Sequence, residues 1–145
     1  LGFSGTNRRF QYKGKLNGVT IVDDYAHHPT EIRATMQSAK NYPHREVWCV
    51  FQPHTYTRTK AFFKEFAESL ALADHVVLAD IYAARETNTY GVTSEQLADR
   101  IPHASYAPDR DALLAHLQAT AKEGDLLLIM GAGDIAAFAD AAAEK

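Results

Sequence analysis

The residue pattern predicts an α/β fold: a three-layer, Rossmann-like domain with about six strands, mostly parallel, an N-terminal antiparallel hairpin, and helices on both faces. Three observations carry this. The apolar runs VWCVF, HVVL and DLLLIM have the composition of strands buried on both faces, as parallel sheets require. Segments of helical period alternate with these runs. Polar residues rich in chemistry gather where the runs end, which is where such sheets bind ligands.

The elements follow in order. LGFSGTNR is polar and Gly-rich and reads as a linker remnant (residues 1–8) entering a single domain that spans 1–145. FQYKGKLNGVTIVDDY predicts two short strands joined by a tight turn around Leu16, Asn17 and Gly18. After Pro29 the period changes: Ile32, Met36 and Ala39 recur at helical spacing, so a helix runs to about Asn41. EVWCVF (46–51) is a buried strand, and KAFFKEFAESLAL (60–72) is a helix with Phe62, Phe63, Phe66 and Leu70 on one face. HVVLADI (75–81) is a second buried strand, and TSEQLADRI (93–101) is a helix opened by a Ser/Thr cap. A short strand at 104–106 precedes a helix over 109–124 that stops at a C-cap glycine. DLLLIMG (125–131) is a strand, and the alanine-rich DIAAFADAAAEK closes the chain as a helix.

Composition narrows the function classes. Hydrophobic residues at 46% and charged residues at 23% exclude a disordered chain. No apolar run is long enough to span a bilayer, so no membrane partner is expected. Cys49 is the single cysteine and lies inside VWCVF, where it reads as a buried small hydrophobe; a cytoplasmic location is the expectation. Residues 1–72 carry ten Lys/Arg against six Asp/Glu, and residues 73–145 carry five against twelve. A basic front half suits an anionic ligand, although solvated faces give the same count. Nucleic acid is not expected, because no basic cluster interleaves with aromatics and the pI is about 6.2.

Three strand-end loops hold candidate chemistry. DDYAHHPTE places Asp23, Asp24, Tyr25, His27 and His28 together; adjacent histidines lack the i,i+4 spacing of helical metal ligands, so no metal site is expected. An aspartate at a strand tip can accept from both ribose hydroxyls, a role Asp24 fits, while a polar turn bonding its own backbone explains the same residues. In FQPHTYTRT, Thr57 is a candidate helix cap. Arg58 then sits near a helix start, which disfavours a cation unless an anion shares the spot. GAGD (131–134) permits close backbone approach and offers free amides, but lacks the third glycine of a dinucleotide fingerprint. No G-x-x-x-x-G-K-[ST] occurs, so the chain is not a complete P-loop enzyme.

Taken together, NRRFQYKG, DDYAHHPTE, FQPHTYTRT and MGAGDI resemble the C-terminal domain of the Mur ligases, in particular the branch that adds L-alanine, over essentially the whole chain. The resemblance implies a three-domain, ATP- and Mg2+-dependent enzyme of peptidoglycan precursor synthesis. Its N-terminal domain would bind UDP-N-acetylmuramate, its central domain would carry the P-loop, and this domain would swing in with L-alanine. ATP would phosphorylate the sugar carboxylate, and the amine would attack the acyl phosphate. The resemblance places Arg9 and Asp24 on ATP, and Tyr25, His27, His54 and Arg58 around the amino acid and the reactive end of the sugar nucleotide, with Arg58 and His27 the catalytic candidates. Gly131, Gly133 and Asp134 would lie by the incoming amino acid. Many relatives read FQPHRYTRT, so Thr55 stands here in place of an arginine. Two alternatives share parts of the pattern. A recycling ligase that joins a preformed tripeptide is expected to read FEPRSNT in the second loop. A free-standing nucleotide-binding module would open with a capping element rather than a linker.

Overall fold

The computed structural model describes residues 10–131 and 135–143 of the chain. Six strands form one sheet in the order β1-β2-β6-β3-β4-β5. The strands are β1 (Gln11–Leu16), β2 (Val19–Asp24), β3 (Val47–Phe51), β4 (His75–Leu78), β5 (Ala104–Tyr106) and β6 (Leu126–Met130). Only the β1–β2 pairing is antiparallel. Asn17 (φ 52°) and Gly18 (φ 82°) close that hairpin, because a two-residue turn matched to strand twist needs positive φ at both positions.

Alternation along the buried strands divides the core into two layers. Val47, Cys49, Phe51, Leu126, Leu128 and Met130 face α1 (Pro29–Lys40) and α3 (Phe63–Leu70), packing on Ile32, Met36, Phe66 and Leu70. Leu97, from α4 (Ser94–Ala98), joins the same layer. Trp48, Val50, Leu127 and Ile129 face the opposite way, onto Leu113 and Leu117 of α5 (Arg110–Thr120) and Phe138 and Ala139 of α6 (Ile135–Ala143). Helices therefore cover both faces of a mostly parallel sheet, as the apolar runs require. Cys49 is fully buried, and burial pushes its thiol well above the ordinary range.

Five boundaries differ from the sequence expectation. The helix expected over 60–72 is two: α2 (Tyr56–Ala61) and α3, separated at Phe62 (φ −115°, ψ 26°). The N-cap of α2 is Thr55, whose hydroxyl accepts from the Arg58 amide at 3.2 Å, rather than Thr57. Helix α5 stops at Thr120, because Ala121 is extended; Gly124 is not its C-cap but a turn residue whose amide donates to the Gly18 carbonyl. Strand β4 ends at Leu78, three residues early, and α4 ends at Ala98.

Candidate functional site

Register puts the candidate loops side by side. Asp24 pairs with Met130, Met130 with Phe51, and Phe51 with Leu78, so the chain leaves β2, β6, β3 and β4 along one row at the carboxyl edge. Neighbouring strands send their next helices to opposite faces there: α1 and α2–α3 to one side, α6 to the other. This is the crevice a doubly wound sheet offers to ligands.

Tyr25, His27, His54 and Arg58 come together in this crevice. The Tyr25 and His27 rings are 5.2 Å apart, and those of His27 and His54 are 6.2 Å apart. His54 stacks on Tyr82, which the sequence reading did not single out, at 5.4 Å and 20°. The Arg58 Nη1 donates to His54 Nδ1 at 3.3 Å. A guanidinium can only donate, so Nδ1 is the unprotonated nitrogen of His54 and its Nε2 carries the hydrogen. Burial, then the nearby Arg58 and His27, lower the His54 pKa below the ordinary histidine value, so the ring is neutral at neutral pH. The Nδ1 of His27 lies 3.0 Å from the Tyr25 carbonyl, an obligate acceptor, and 3.5 Å from Glu31 Oε1, so Nδ1 carries a hydrogen, and the neutral form of the ring would keep its lone pair on Nε2.

His28 serves the helix instead. It is the N-cap of α1, its Nδ1 accepting from Thr30, while Glu31 accepts from the His27 and His28 amides. The second histidine of the loop is thus explained by a capping box.

At α2 the anion that a helix start favours comes from the chain itself. Glu86, in the loop after β4, accepts from the Tyr56 amide (2.6 Å), the Thr57 amide (3.0 Å) and the Thr57 hydroxyl (2.7 Å). The Thr57 hydroxyl first, then the backbone bonds, hold the Glu86 carboxyl below the usual range. The placement of Arg58 near a helix start therefore does not itself call for an external ligand. Thr55 is held at φ 67°, ψ 147°, a region that disfavours a β-branched residue. Its amide donates to Tyr82, its carbonyl accepts from the Thr59 amide and hydroxyl, and its side chain caps α2.

Asp24 is turned inward, with 1% of its surface exposed. Its Oδ1 accepts from the Ala26 amide at 2.8 Å, and its Oδ2 accepts from the Phe10 amide at 2.9 Å and the Thr35 hydroxyl at 3.0 Å. The Ala26 bond is the local turn contact that the sequence suggests, whereas the Phe10 and Thr35 bonds reach 14 and 11 positions along the chain. Gly131 donates to the Asp24 carbonyl at 3.4 Å and has φ +143°; a Cβ there would stand 2.9 Å from the Gln52 carbonyl. Gln52, buried beside it, accepts from the Ile135 amide at 3.1 Å and so caps the start of α6. Arg9, Gly133 and Asp134 lie outside the described residues.

The sequence reading missed Glu86, Tyr82 and the capping role of Gln52. Each acts on a partner about 30 or more positions away, so no local spacing marks it. Among the described residues no three His, Cys, Asp or Glu side chains are arranged to hold a metal, and no helix is long and apolar enough to cross a membrane.

Comparison with known proteins bears on the family and the fold. Residues 8–133 match the family model described as Mur ligase, glutamate ligase domain. The chain is 56% identical over 137 residues to the UDP-N-acetylmuramate–L-alanine ligase of Agathobacter rectalis, covering 92% of this chain and 30% of that protein. It therefore spans about a third of the length of the curated relatives it matches. The UDP-N-acetylmuramate–alanine ligase MurC of Thermotoga maritima superposes with a TM-score of 0.74 at 28% identity, over 95% of this chain and 29% of that one. A domain from a Haemophilus ducreyi protein assigned as UDP-N-acetylmuramate:L-alanyl-gamma-D-glutamyl-meso-diaminopimelate ligase gives 0.68 at 28% identity, covering 94% of this chain and 98% of that one.

Proposed function

The chain belongs to the Mur ligase, glutamate ligase domain family, and from that premise we propose that it is the substrate-closing C-terminal domain of an ATP-dependent ligase that joins L-alanine to UDP-N-acetylmuramate. The identity of more than half its residues to an L-alanine ligase supports the substrate. The observation that carries the chemistry is the meeting of Arg58, His54 and His27 at the carboxyl edge of the sheet.

The division of labour follows from donor and acceptor character. The reaction needs a carboxylate-bearing amino acid held with its amine free to attack an acyl phosphate. Arg58 supplies a permanent cation with hydrogen bonds to give, suited to the amino-acid carboxylate or to the phosphate as charge shifts onto it. His54, neutral, offers Nε2–H as a further donor, and the Tyr25 ring walls the same space. In its neutral form His27 offers the Nε2 lone pair, with Glu31 beside Nδ1, and in that form it takes the proton that the amine releases on attack. Gly131, at the exit of β6 beside Gln52, is assigned to the incoming amino acid, and the family resemblance assigns Gly133 and Asp134 to it as well.

ATP and Mg2+ are assigned chiefly to the other domains, since the sequence carries no P-loop motif. Arg9 and Asp24 are its contribution on the ATP side. Because the Asp24 carboxylate already accepts three donors, a ribose hydroxyl would share it with, or displace, the Phe10 amide.

The test is activity by reconstitution. Alone, the chain should release no phosphate from ATP with UDP-N-acetylmuramate and L-alanine. Joined to the N-terminal and central domains of such a ligase, it should support L-alanine-dependent phosphate release. Turnover with the preformed tripeptide in place of L-alanine would move the assignment to the recycling ligase. Turnover with neither would leave a non-catalytic module.

A further inference from the structure

The loop after β4 and the loop after β3 are joined at several points. Tyr82 donates its amide to Pro53 and accepts from Thr55, a reciprocal pair at 2.8 Å each, and the Tyr82 ring lies flat against His54. Next along the loop, Ala84 (φ 50°) and Arg85 (φ 78°) are consecutive non-glycine residues in the left-handed region. Such a conformation persists only where the surroundings fix it. It ends at Glu86, whose carboxylate takes three hydrogen bonds from Tyr56 and Thr57, two and one positions before Arg58 respectively.

We propose that Glu86 is a positioning residue: its carboxylate builds the first turn of α2 and so sets the Arg58 guanidinium against His54 at the anion-binding end of the site. The helix is too short, at six residues, to hold its shape unaided. Thr55, its other cap, sits in a backbone conformation that a β-branched residue resists. Glu86 supplies charge-assisted bonds where the helix dipole is positive, and ties the turn to β4 rather than leaving it on the β3 loop alone. Arg58 then reaches His54 Nδ1, fixing the tautomer that presents Nε2–H. The inference rests on Arg58 as the substrate-anion ligand for its catalytic consequence, but not for its structural one.

The experiment has two arms. In the 145-residue chain, 15N NMR of the His54 imidazole should show the Nε2–H tautomer, and Glu86→Ala should mix the tautomers. Should Glu86→Ala not fold, Thr57→Val removes one of the three bonds and should produce the same change in smaller measure. In the intact ligase, Glu86→Ala should lower kcat/KM for L-alanine about 10- to 100-fold, near the scale of losing one oriented donor. In a Arg58→Lys background it should cost less than about threefold more, since residues acting through one group are not additive. An unchanged His54 spectrum, or fully additive losses, overturns the proposal. If Arg58→Lys is itself fully active, the assignment of Arg58 fails, and the His54 spectrum still decides what Glu86 does.

Discussion

Replacing Asp24 with alanine tests whether this carboxylate is a structural keystone of the strand end as well as a candidate nucleotide ligand. Among the described residues three donors converge on it: two, the Ala26 amide and the Thr35 hydroxyl, form buried bonds, and the third, the Phe10 amide, is partly buried. Each buried donor left without an acceptor costs about 1–3 kcal/mol. Water reaching Phe10, and relief from desolvating a carboxylate, offset part of the total, so Asp24→Ala should destabilise the chain by about 2–4 kcal/mol. With an m-value of about 2 kcal/mol/M, the middle of the usual range, that is a fall of roughly 1–2 M in the urea midpoint. Asp24→Asn, which keeps one acceptor oxygen, should lose about half as much. Asp24→Ala combined with Thr35→Val should be less destabilising than the sum of the two, because the valine no longer needs the acceptor. In the intact ligase the alanine variant should raise KM for ATP more than KM for L-alanine. An unfolding free energy within about 0.5 kcal/mol of the unaltered chain's would contradict this, showing that water satisfies these donors.

Further outcomes follow from the same structure. His28→Ala removes the cap of α1 and should cost about 0.5–2 kcal/mol in chemical denaturation, whereas His28→Asp, a preferred capping residue, should cost nothing measurable; equal losses would show the capping box to be incidental. Because the folded-state pKa of His54 is lowered, the unfolded chain binds that proton first. Stability from this group is therefore complete above about 6.5 and declines as pH falls below it; an NMR titration showing His54 protonating at or above that value would contradict the packing described. Gly131→Ala puts a Cβ 2.9 Å from the Gln52 carbonyl at a φ of +143° and should destabilise by about 1–3 kcal/mol; an unchanged melting temperature would mean the β6 exit can relax freely.

The sheet was legible because its signal is local: VWCVF and LLLIM cannot be half-exposed strands, and Asn17-Gly18 permits little besides a tight hairpin. The neighbourhood of Tyr25, His27, His54 and Arg58 was legible in outline, since a parallel sheet brings its strand ends to one edge. What escaped was set by contacts distant in sequence. The start of α2 moved forward to Tyr56 because Glu86 and the strained Thr55 hold it there, and TYTRT alone has the β-branched content of a strand or turn. Gly124 looks like a helix stop, but its amide is taken by Gly18 across the hairpin turn. The inward carboxylate of Asp24 was invisible for the same reason: Phe10 and Thr35 lie 14 and 11 positions away.

In the proposed function Arg58 serves the chemical step at the amino-acid end of a ligase site, and the decisive measurement is the kinetics of Arg58→Lys in the intact enzyme. Lysine keeps the charge but loses the planar fork that can bond both a carboxylate and His54. The account predicts a melting temperature within a few degrees of the unaltered enzyme, because a partly exposed, charge-conserving change is worth about 0.5 kcal/mol either way. It predicts a fall in kcat/KM for L-alanine of about 100-fold or more, the scale of losing one transition-state donor. Near-normal kcat/KM in a folded Arg58→Lys enzyme would contradict it, and unfolding of that variant would make Arg58 a structural residue instead.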